Sequence, residues 1–86
     1  MDKVMTYHMK FIIQEMATGR PLYADPENGL WDRLYPMPGY LGEIKAVHCR
    51  SVLALCKIDL IKPVNYPRLH YKLTKAGRDA AKQMAT

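Results

Sequence analysis

Apolar residues near the N-terminus recur at intervals of three and four, the period of an α-helix. This stripe comprises Met5, Met9, Ile12, Ile13 and Met16. It predicts a helix over residues 3–18, with Asp2 as its capping residue and Gly19 at its end. A short strand, Leu22 and Tyr23, is expected to follow.

Residues 25–35 contain the signals of a second helix. Asp25 supplies a capping carboxylate, Pro26 suits the first helical position, and Glu27 is an acid favoured by the helix dipole. The apolar side of this helix would consist of Leu30, Trp31 and Leu34. We therefore expect a helix over residues 26–35, ended by the prolines that follow it.

A second apolar stripe at helical spacing begins shortly afterwards. Its members are Cys49, Val52, Leu53, Cys56 and Leu60. The stripe predicts a third helix over residues 45–58, with its start open between Leu41 and Lys45. Val47 and Ile58 lie opposite the stripe, which leaves open whether this helix is covered on both sides.

Beyond this helix the pattern changes to that of a strand. The apolar residues Leu69, Tyr71 and Leu73 alternate with Arg68, His70 and Lys72. This alternation predicts a hairpin over residues 60–73, and Pro63 restricts it to a sheet edge because proline cannot donate to a ladder. Thr74 is expected to cap a last helix over residues 75–85. The apolar side of that helix carries Ala76, Ala80, Ala81 and Met84.

These elements describe one domain over residues 1–86, α+β in class but mainly α-helical. The apolar content of 49% is typical of a globular chain. No apolar run approaches the roughly 20 residues of a membrane span, so no membrane partner is expected. The first residues lack the apolar core of a signal peptide, and a cytoplasmic protein is therefore expected.

The charges are distributed unevenly along the chain. Residues 1–43 carry four Lys or Arg against six Asp or Glu, whereas residues 44–86 carry nine against two. Together they give the net charge of +5. Such asymmetry in a small protein is typical of a face that binds a polyanion, and nucleic acid is the first candidate.

Residues 44–80 resemble the winged helix-turn-helix regulators of the MarR and PadR type. The resemblance rests on IDLIKP, where such families have an apolar pair that opens the first wing strand. It also rests on YKLTKAGRDA, which is similar to their Y-x-L-T-x-x-G-R passage from the wing into a C-terminal helix. Two departures are that Asp59 stands where these families carry a glycine, and that the segment YPMPGYLGEI before the third helix is long.

The resemblance implies a winged helix-turn-helix fold with a three-helix core, a β-hairpin wing and a C-terminal helix. It further implies a small sequence-specific duplex-DNA-binding protein, a regulator of transcription or replication. The third helix would enter the major groove, and the wing would contact the backbone or the minor groove. The residues expected to bind DNA are Lys45, His48, Arg50, Ser51 and Lys57 on the helix, and Tyr66, Arg68 and Lys72 on the wing. The last helix is expected to pair two copies into a homodimer.

Simpler interpretations remain beside these expectations. Arg50 is the expected base reader, because a guanidinium donates to both acceptors of a guanine edge, but it is equally consistent with a solvated arginine. The basic hairpin is also typical of a charged edge that prevents aggregation. Finally, the fold serves elsewhere as a protein-interaction module, an adaptor or inhibitor, which the apolar Val47, Ala54 and Ile58 favour.

No catalytic, cofactor-binding or metal-binding motif is present in the sequence. Cys49 and Cys56 lie about 10 Å apart along the predicted helix, too far for a mutual disulfide, and are expected to be reduced. The His and Cys residues lack the CxxC and HxxxH spacings of metal ligands. Without a glycine-rich phosphate loop or a nucleophile motif, we do not expect an enzyme.

Overall fold

The computed structural model describes residues 5–25, 27 and 29–85. Its helices are α1 (Tyr7–Ala17), α2 (Cys49–Lys57) and α3 (Lys75–Ala85). Its strands are β1 (Leu22–Tyr23), β2 (Trp31–Leu34), β3 (Lys45–His48), β4 (Ile61–Val64) and β5 (His70–Leu73). Within this part of the chain, no helix has the length and apolar content needed to span a membrane.

The strands form one antiparallel sheet in the order β3-β2-β1-β5-β4. Leu22 in the central strand pairs with Leu34 on one side and with Tyr71 on the other. The helices contact one another through α1 and cover one face of the sheet. The buried side chains between the two layers are Met9, Ile12, Ile13, Met16, Leu22, Leu34, Val47, Val52, Leu55, Leu60, Ile61 and Ala81.

The expected mainly helical winged helix-turn-helix is therefore wrong. A five-stranded sheet forms one whole layer of the molecule, so the fold is α+β without being mainly α. The segment between β1 and α2 contains a β-hairpin, β2 and β3, where a three-helix core requires a helix.

The signals at Asp25 start a turn instead of a helix. The Asp25 Oδ1 atom accepts a hydrogen bond from the N–H of Glu27 at 3.1 Å, and its carbonyl oxygen accepts one from Gly29 at 3.2 Å. Gly29 has a φ of +74°, a left-handed conformation that a continuing helix does not use. Pro26, the expected first helical residue, lies outside the described residues.

The helix expected over residues 26–35 is replaced further along by β2. Trp31 is exposed, Asp32 is buried and Leu34 is buried on the same side as Asp32, which is the alternation of a strand. The apolar spacing of this segment fits both a helix and a strand. Pairing with β3 over four residues selects the strand.

The helix expected over residues 45–58 begins later, at Cys49. The first four residues of that range, Lys45–His48, form the edge strand β3. The Nδ1 atom of His48 accepts a hydrogen bond from the N–H of Arg50 at 3.1 Å, so His48 caps the helix. At the other end, Asp59 has a φ of +62°, the left-handed conformation for which a glycine would be suited.

The first helix begins at Tyr7, where Thr6 is the cap: its Oγ1 atom accepts from the N–H of Met9 at 3.2 Å. The expected cap, Asp2, lies outside the described residues. The end of α1 is joined to the β2–β3 connection by Arg20. Its guanidinium donates to the carbonyl oxygen of Tyr35 at 2.9 Å and to that of Glu43 at 2.7 Å. These bonds fix the backbone at the end of β2.

The last helix begins after Thr74, whose Oγ1 atom accepts from the N–H of Gly77 at 3.0 Å. A Cβ atom at position 77 would overlap the carbonyl oxygen of Leu60, so only glycine allows α3 to lie this close to the start of β4. Ala81 is buried against the core that α1 and α3 share. The side of α3 expected to pair two copies is thus used within one chain, and the homodimer stays a prediction.

Candidate nucleic-acid interface

The face of the sheet opposite the helices carries aromatic and basic side chains. Alternate residues of each strand point to this face, and cross-strand pairing places Tyr23 beside Arg33 and His70. No helix of the described residues covers this surface, which we call the open face. Its aromatic and basic members are Tyr23, Trp31, Arg33, Tyr35, His48, Lys62, Arg68, His70 and Lys72.

An arginine and two tyrosines form the centre of the open face. The Cζ atom of Arg68 lies 4.4 Å from the centre of the Tyr23 ring and 5.9 Å from that of Tyr35. The two tyrosine rings meet edge to face with centres 5.1 Å apart, and His70 lies 5.9 Å from Tyr23. Cation–π contacts of this kind contribute about 0.5–1 kcal/mol at exposed sites. They hold the guanidinium beside the tyrosine rings on the open face.

Two lysines lie side by side next to this cluster. Lys62 of β4 pairs directly with Lys72 of β5, and both side chains are exposed. Among the described residues, neither ammonium group has an ion-pair partner. Like charges directly opposite each other in a sheet are destabilising, so a bound anion would relieve a repulsion present in the free protein.

The opposite side of the cluster carries carboxylates as well as arginines. A cleft of about 330 Å³ lies there, lined by Asp25, Glu27, Arg33, Tyr35 and Arg68. The Nε atom of Arg33 lies 3.4 Å from an oxygen of Asp25, an ion pair that partly neutralises this end. The positive potential of the open face is therefore concentrated on the side of Lys62 and Lys72.

The structure brings together the residues expected on the hairpin. Arg68 and Lys72 lie on the open face, and Tyr66 is 84% exposed in the loop between β4 and β5. Both strands of this hairpin also belong to the larger sheet, through the pairing of β5 with β1. The expected wing is thus one side of a wider surface.

Two residues expected on the third helix have structural contacts instead. The Nζ atom of Lys45 lies 3.0 Å from Glu15 and 5.0 Å from the centre of the Phe11 ring, on the helix side of the sheet. His48 caps α2 through its ring nitrogen and packs against Trp31, with ring centres 5.1 Å apart. Lys45 therefore points to the helix side of the sheet, whereas His48, paired with Trp31, lies at the edge of the open face.

The remaining expected residues lie on α2, away from the open face. Arg50 and Lys57 are exposed and Ser51 is half-buried, while Val52 and Leu55 of the same helix are buried against the sheet. Because α2 lies on the helix-covered face, its cations and those of the hairpin do not form one surface. A single ligand on the open face therefore does not contact Arg50 or Lys57.

Sequence reasoning missed the tyrosine and arginine members contributed by β1 and β2. A signal is present in the alternation of Trp31, Arg33 and Tyr35 with buried Asp32 and Leu34, but the capping signals at Asp25 predict a helix for the same residues. The position of Tyr23 beside His70 depends on pairing between distant parts of the chain, and no local pattern contains it.

Between α2 and the sheet, burial raises the pKa of three ionisable side chains. Burial raises the pKa of Asp32 more than the hydrogen bond from the N–H of Asp25 lowers it, and the Asp25 carboxylate raises this pKa further. Burial and then the nearby Asp32 carboxylate raise the pKa of Cys56 and that of Tyr71. A thiol with a raised pKa is a poor nucleophile, which favours a structural role for this cluster. Within the described residues, no three His, Cys, Asp or Glu side chains are grouped so as to hold a metal ion.

Comparison of the chain with known proteins found no match. No protein-family model, no curated protein and no solved structure matches the chain.

Proposed function

We propose that this protein binds single-stranded nucleic acid on the open face of its sheet. The observation that carries this proposal is the placement of the Arg68–Tyr23–Tyr35 cluster beside the unpaired lysines Lys62 and Lys72. Aromatic rings next to cations are what an unpaired base and its phosphate require together. Binding through this surface involves no catalysis.

The aromatic groups favour a single strand over a duplex. In a duplex the bases are stacked on one another, and ring faces are not available to a protein surface. Unpaired bases instead stack on aromatic or guanidinium planes, at about 1–3 kcal/mol per base. The Arg68 guanidinium, which lies over the Tyr23 ring, and the Tyr35 ring supply such groups, and the half-buried tyrosines lose little side-chain entropy on binding.

The phosphates would lie along the basic side of the cluster. Three cations there, Lys62, Arg68 and Lys72, lie on the same side of the sheet. Each phosphate neutralised on a single strand contributes about −0.7 to the slope of log affinity against log salt concentration, so three contacts give about −2. Asp25 and Glu27 at the far end of the cluster repel a phosphate and limit the path of the strand.

The test compares two double variants that remove equal charge from opposite faces. Lys62→Ala with Lys72→Ala removes two cations from the open face, and Arg50→Ala with Lys57→Ala removes two from α2. Binding of a fluorescein-labelled mixed-sequence oligonucleotide, single-stranded or duplex, is measured by anisotropy over a salt series. We expect the wild-type protein to prefer the single strand, and the first variant alone to reduce the salt slope by about 1.4.

Three results would overturn the proposal. They are tighter binding of the duplex, equal loss of affinity in both double variants, and loss in the α2 variant only. The last result would favour insertion of α2 into a groove of double-stranded DNA. Roles in transcription or replication, and a cytoplasmic location, stay predictions from the sequence.

A further inference from the structure

The outer side of α2 forms a groove that the open face does not include. It has a volume of about 810 Å³, and its apolar part is formed by Leu30, Cys49, Leu53 and Ala54. Leu30 is 56% exposed and Leu53 is 59% exposed. The N–H of Cys49 donates to the carbonyl oxygen of Leu30 at 2.8 Å, so the loop wall of the groove is fixed to the start of α2.

Cations stand at both ends of this groove. Arg50 and Lys57 are seven residues apart on α2, about 10.5 Å along the axis and close to two full turns, so both lie on the groove side. Among the described residues neither has an ion-pair partner, and no carboxylate lines the groove. The groove is therefore apolar along its floor and positive at its two ends.

This arrangement selects the chemistry of an occupant. An amphipathic helix places apolar side chains at i, i+3 or i+4, and i+7 in such a groove, over the same two turns. Carboxylates beside its apolar stripe would meet Arg50 and Lys57 and steer the encounter. A phosphate backbone suits the floor poorly, because it would bury Leu30 and Leu53 against charge.

A second copy of the chain does not supply this occupant from its described residues. Glu27, Glu43 and Asp59 are exposed but lie in loops. Glu15 on α1 and Asp79 on α3 lie on helices whose apolar sides pack into the core of their own chain. We propose that the groove on α2 docks an acidic amphipathic helix of a partner protein.

The experiment uses two synthetic peptides of about 14 residues with helical leucine spacing, one carrying glutamates beside the stripe and one carrying lysines at the same positions. Chemical shifts of the ¹⁵N-labelled full-length protein are followed during titration. We expect the acidic peptide to shift Leu30 and α2 and to bind about tenfold more tightly than the basic one. Leu53→Asp, at an exposed position, should abolish binding without unfolding the protein.

A charge-swap variant makes the test reciprocal. Arg50→Glu with Lys57→Glu should reverse the preference, so that the basic peptide binds more tightly than the acidic one. The proposal fails if neither peptide is preferred, if Leu53→Asp binds as well as the wild type, or if the shifts lie outside the groove. It also fails if the chemical shifts of the groove residues change with protein concentration alone, which indicates self-association. A change of the same chemical shifts on addition of duplex DNA would likewise contradict it. The variants at Lys62 and Lys72 should leave peptide binding unchanged, so this inference stands or falls separately from oligonucleotide binding.

Discussion

Gly77 shows how a single missing side chain determines helix packing. Replacing glycine by alanine inside an exposed helix raises stability by about 1 kcal/mol, because alanine has the better helix propensity. At this position the added Cβ would overlap the carbonyl oxygen of Leu60, and a backbone atom cannot rotate away. Overpacking of this kind costs about 1–3 kcal/mol, so packing and propensity act in opposite directions.

We therefore predict that Gly77→Ala lowers the free energy of unfolding by about 1 kcal/mol, the packing cost being larger than the propensity gain. Urea denaturation followed by circular dichroism measures the change. Lys75→Ala, at an exposed position in the same helix, is the control and should change stability by less than about 0.5 kcal/mol. A more stable Gly77→Ala protein would contradict the close approach of α3 to Leu60.

Because the Asp32 carboxyl is buried, we expect the stability of the protein to depend on pH. Burial raises the pKa of this carboxyl in the folded protein above its usual 3.8, so the folded state holds the proton to a higher pH than the unfolded state. The resulting destabilisation is absent below the usual pKa, grows as the pH rises through the raised pKa, and remains above it. Asp32→Asn should thus be more stable than the wild type at pH 7, and this advantage should shrink at pH 3.

Urea midpoints at the two pH values measure this difference. Asp79→Asn, which removes an exposed carboxylate from α3, corrects for the general effect of net charge. An advantage of Asp32→Asn that is equal at both pH values would mean that ionisation of the buried carboxyl does not cause it.

At the scale of elements, the hairpin of β4 and β5 carries a residue pair that we expect to favour binding and to lower the stability of the free protein. Its two strands align Lys62 with Lys72, an arrangement that costs stability in the free protein. If these lysines served only to prevent aggregation at the sheet edge, one charge at this pair of positions would be enough. The proposed phosphate contact would account for the second lysine.

Lys62→Glu should separate the two effects. An opposite-charge pair with Lys72 should raise the free energy of unfolding by about 0.5 kcal/mol, and the same change should weaken binding of the single-stranded oligonucleotide. Urea denaturation at low salt and anisotropy measure the two quantities. Lys10→Glu, exposed on α1, is the matched control and should change neither substantially. Weaker binding together with lower stability would point to a folding defect instead.

At the scale of the whole molecule, the sheet separates two surfaces of different chemistry. The open face combines aromatic rings with cations, and the groove on α2 lies on the helix-covered side. His48 lines the groove and packs against Trp31 at the edge of the open face. The groove and the Arg68–Tyr23–Tyr35 centre nevertheless lie on opposite layers and are energetically independent to a first approximation.

Saturation of one surface should therefore leave the other unaffected. The affinity for the single-stranded oligonucleotide, measured with and without saturating acidic peptide, should agree to within about twofold. Leu53→Asp provides the control, because it removes peptide binding and leaves the open face intact. A larger change that Leu53→Asp abolishes would indicate coupling through the sheet.

Local patterns predicted those parts of the molecule that depend on local contacts. The stripe of α1, the alternation in β5 and the Thr74 cap of α3 each lie within a few residues, and each appears in the structure close to its expected range. In β2 and β3, four residues carry too short a pattern to distinguish a strand from a helical turn. Their state depends on pairing with each other, which sequence period alone does not contain.

For the same reason, the candidate site could be predicted only in part from the sequence. Arg68 and Lys72 follow from their basic hairpin, whereas Tyr23 in β1 and Tyr35 directly after β2 meet the hairpin only in the folded sheet. The winged-helix resemblance predicts that Arg50 lies on a helix that enters a DNA groove, yet α2 packs through Val52 and Leu55 against the face of the sheet opposite the open face. Surface composition was visible in the sequence, but its arrangement required tertiary structure.

The short central strand has a consequence for how the chain folds. The hairpins β2–β3 and β4–β5 each join neighbouring segments, but β1 connects them by pairing Tyr23 with both Arg33 and His70. The sheet is thus completed only when distant parts of the chain have met, which couples its two halves into one cooperative transition. Backbone amides of β1 should then exchange with deuterium only through global unfolding, whereas those of the edge strands β3 and β4 exchange by local fraying.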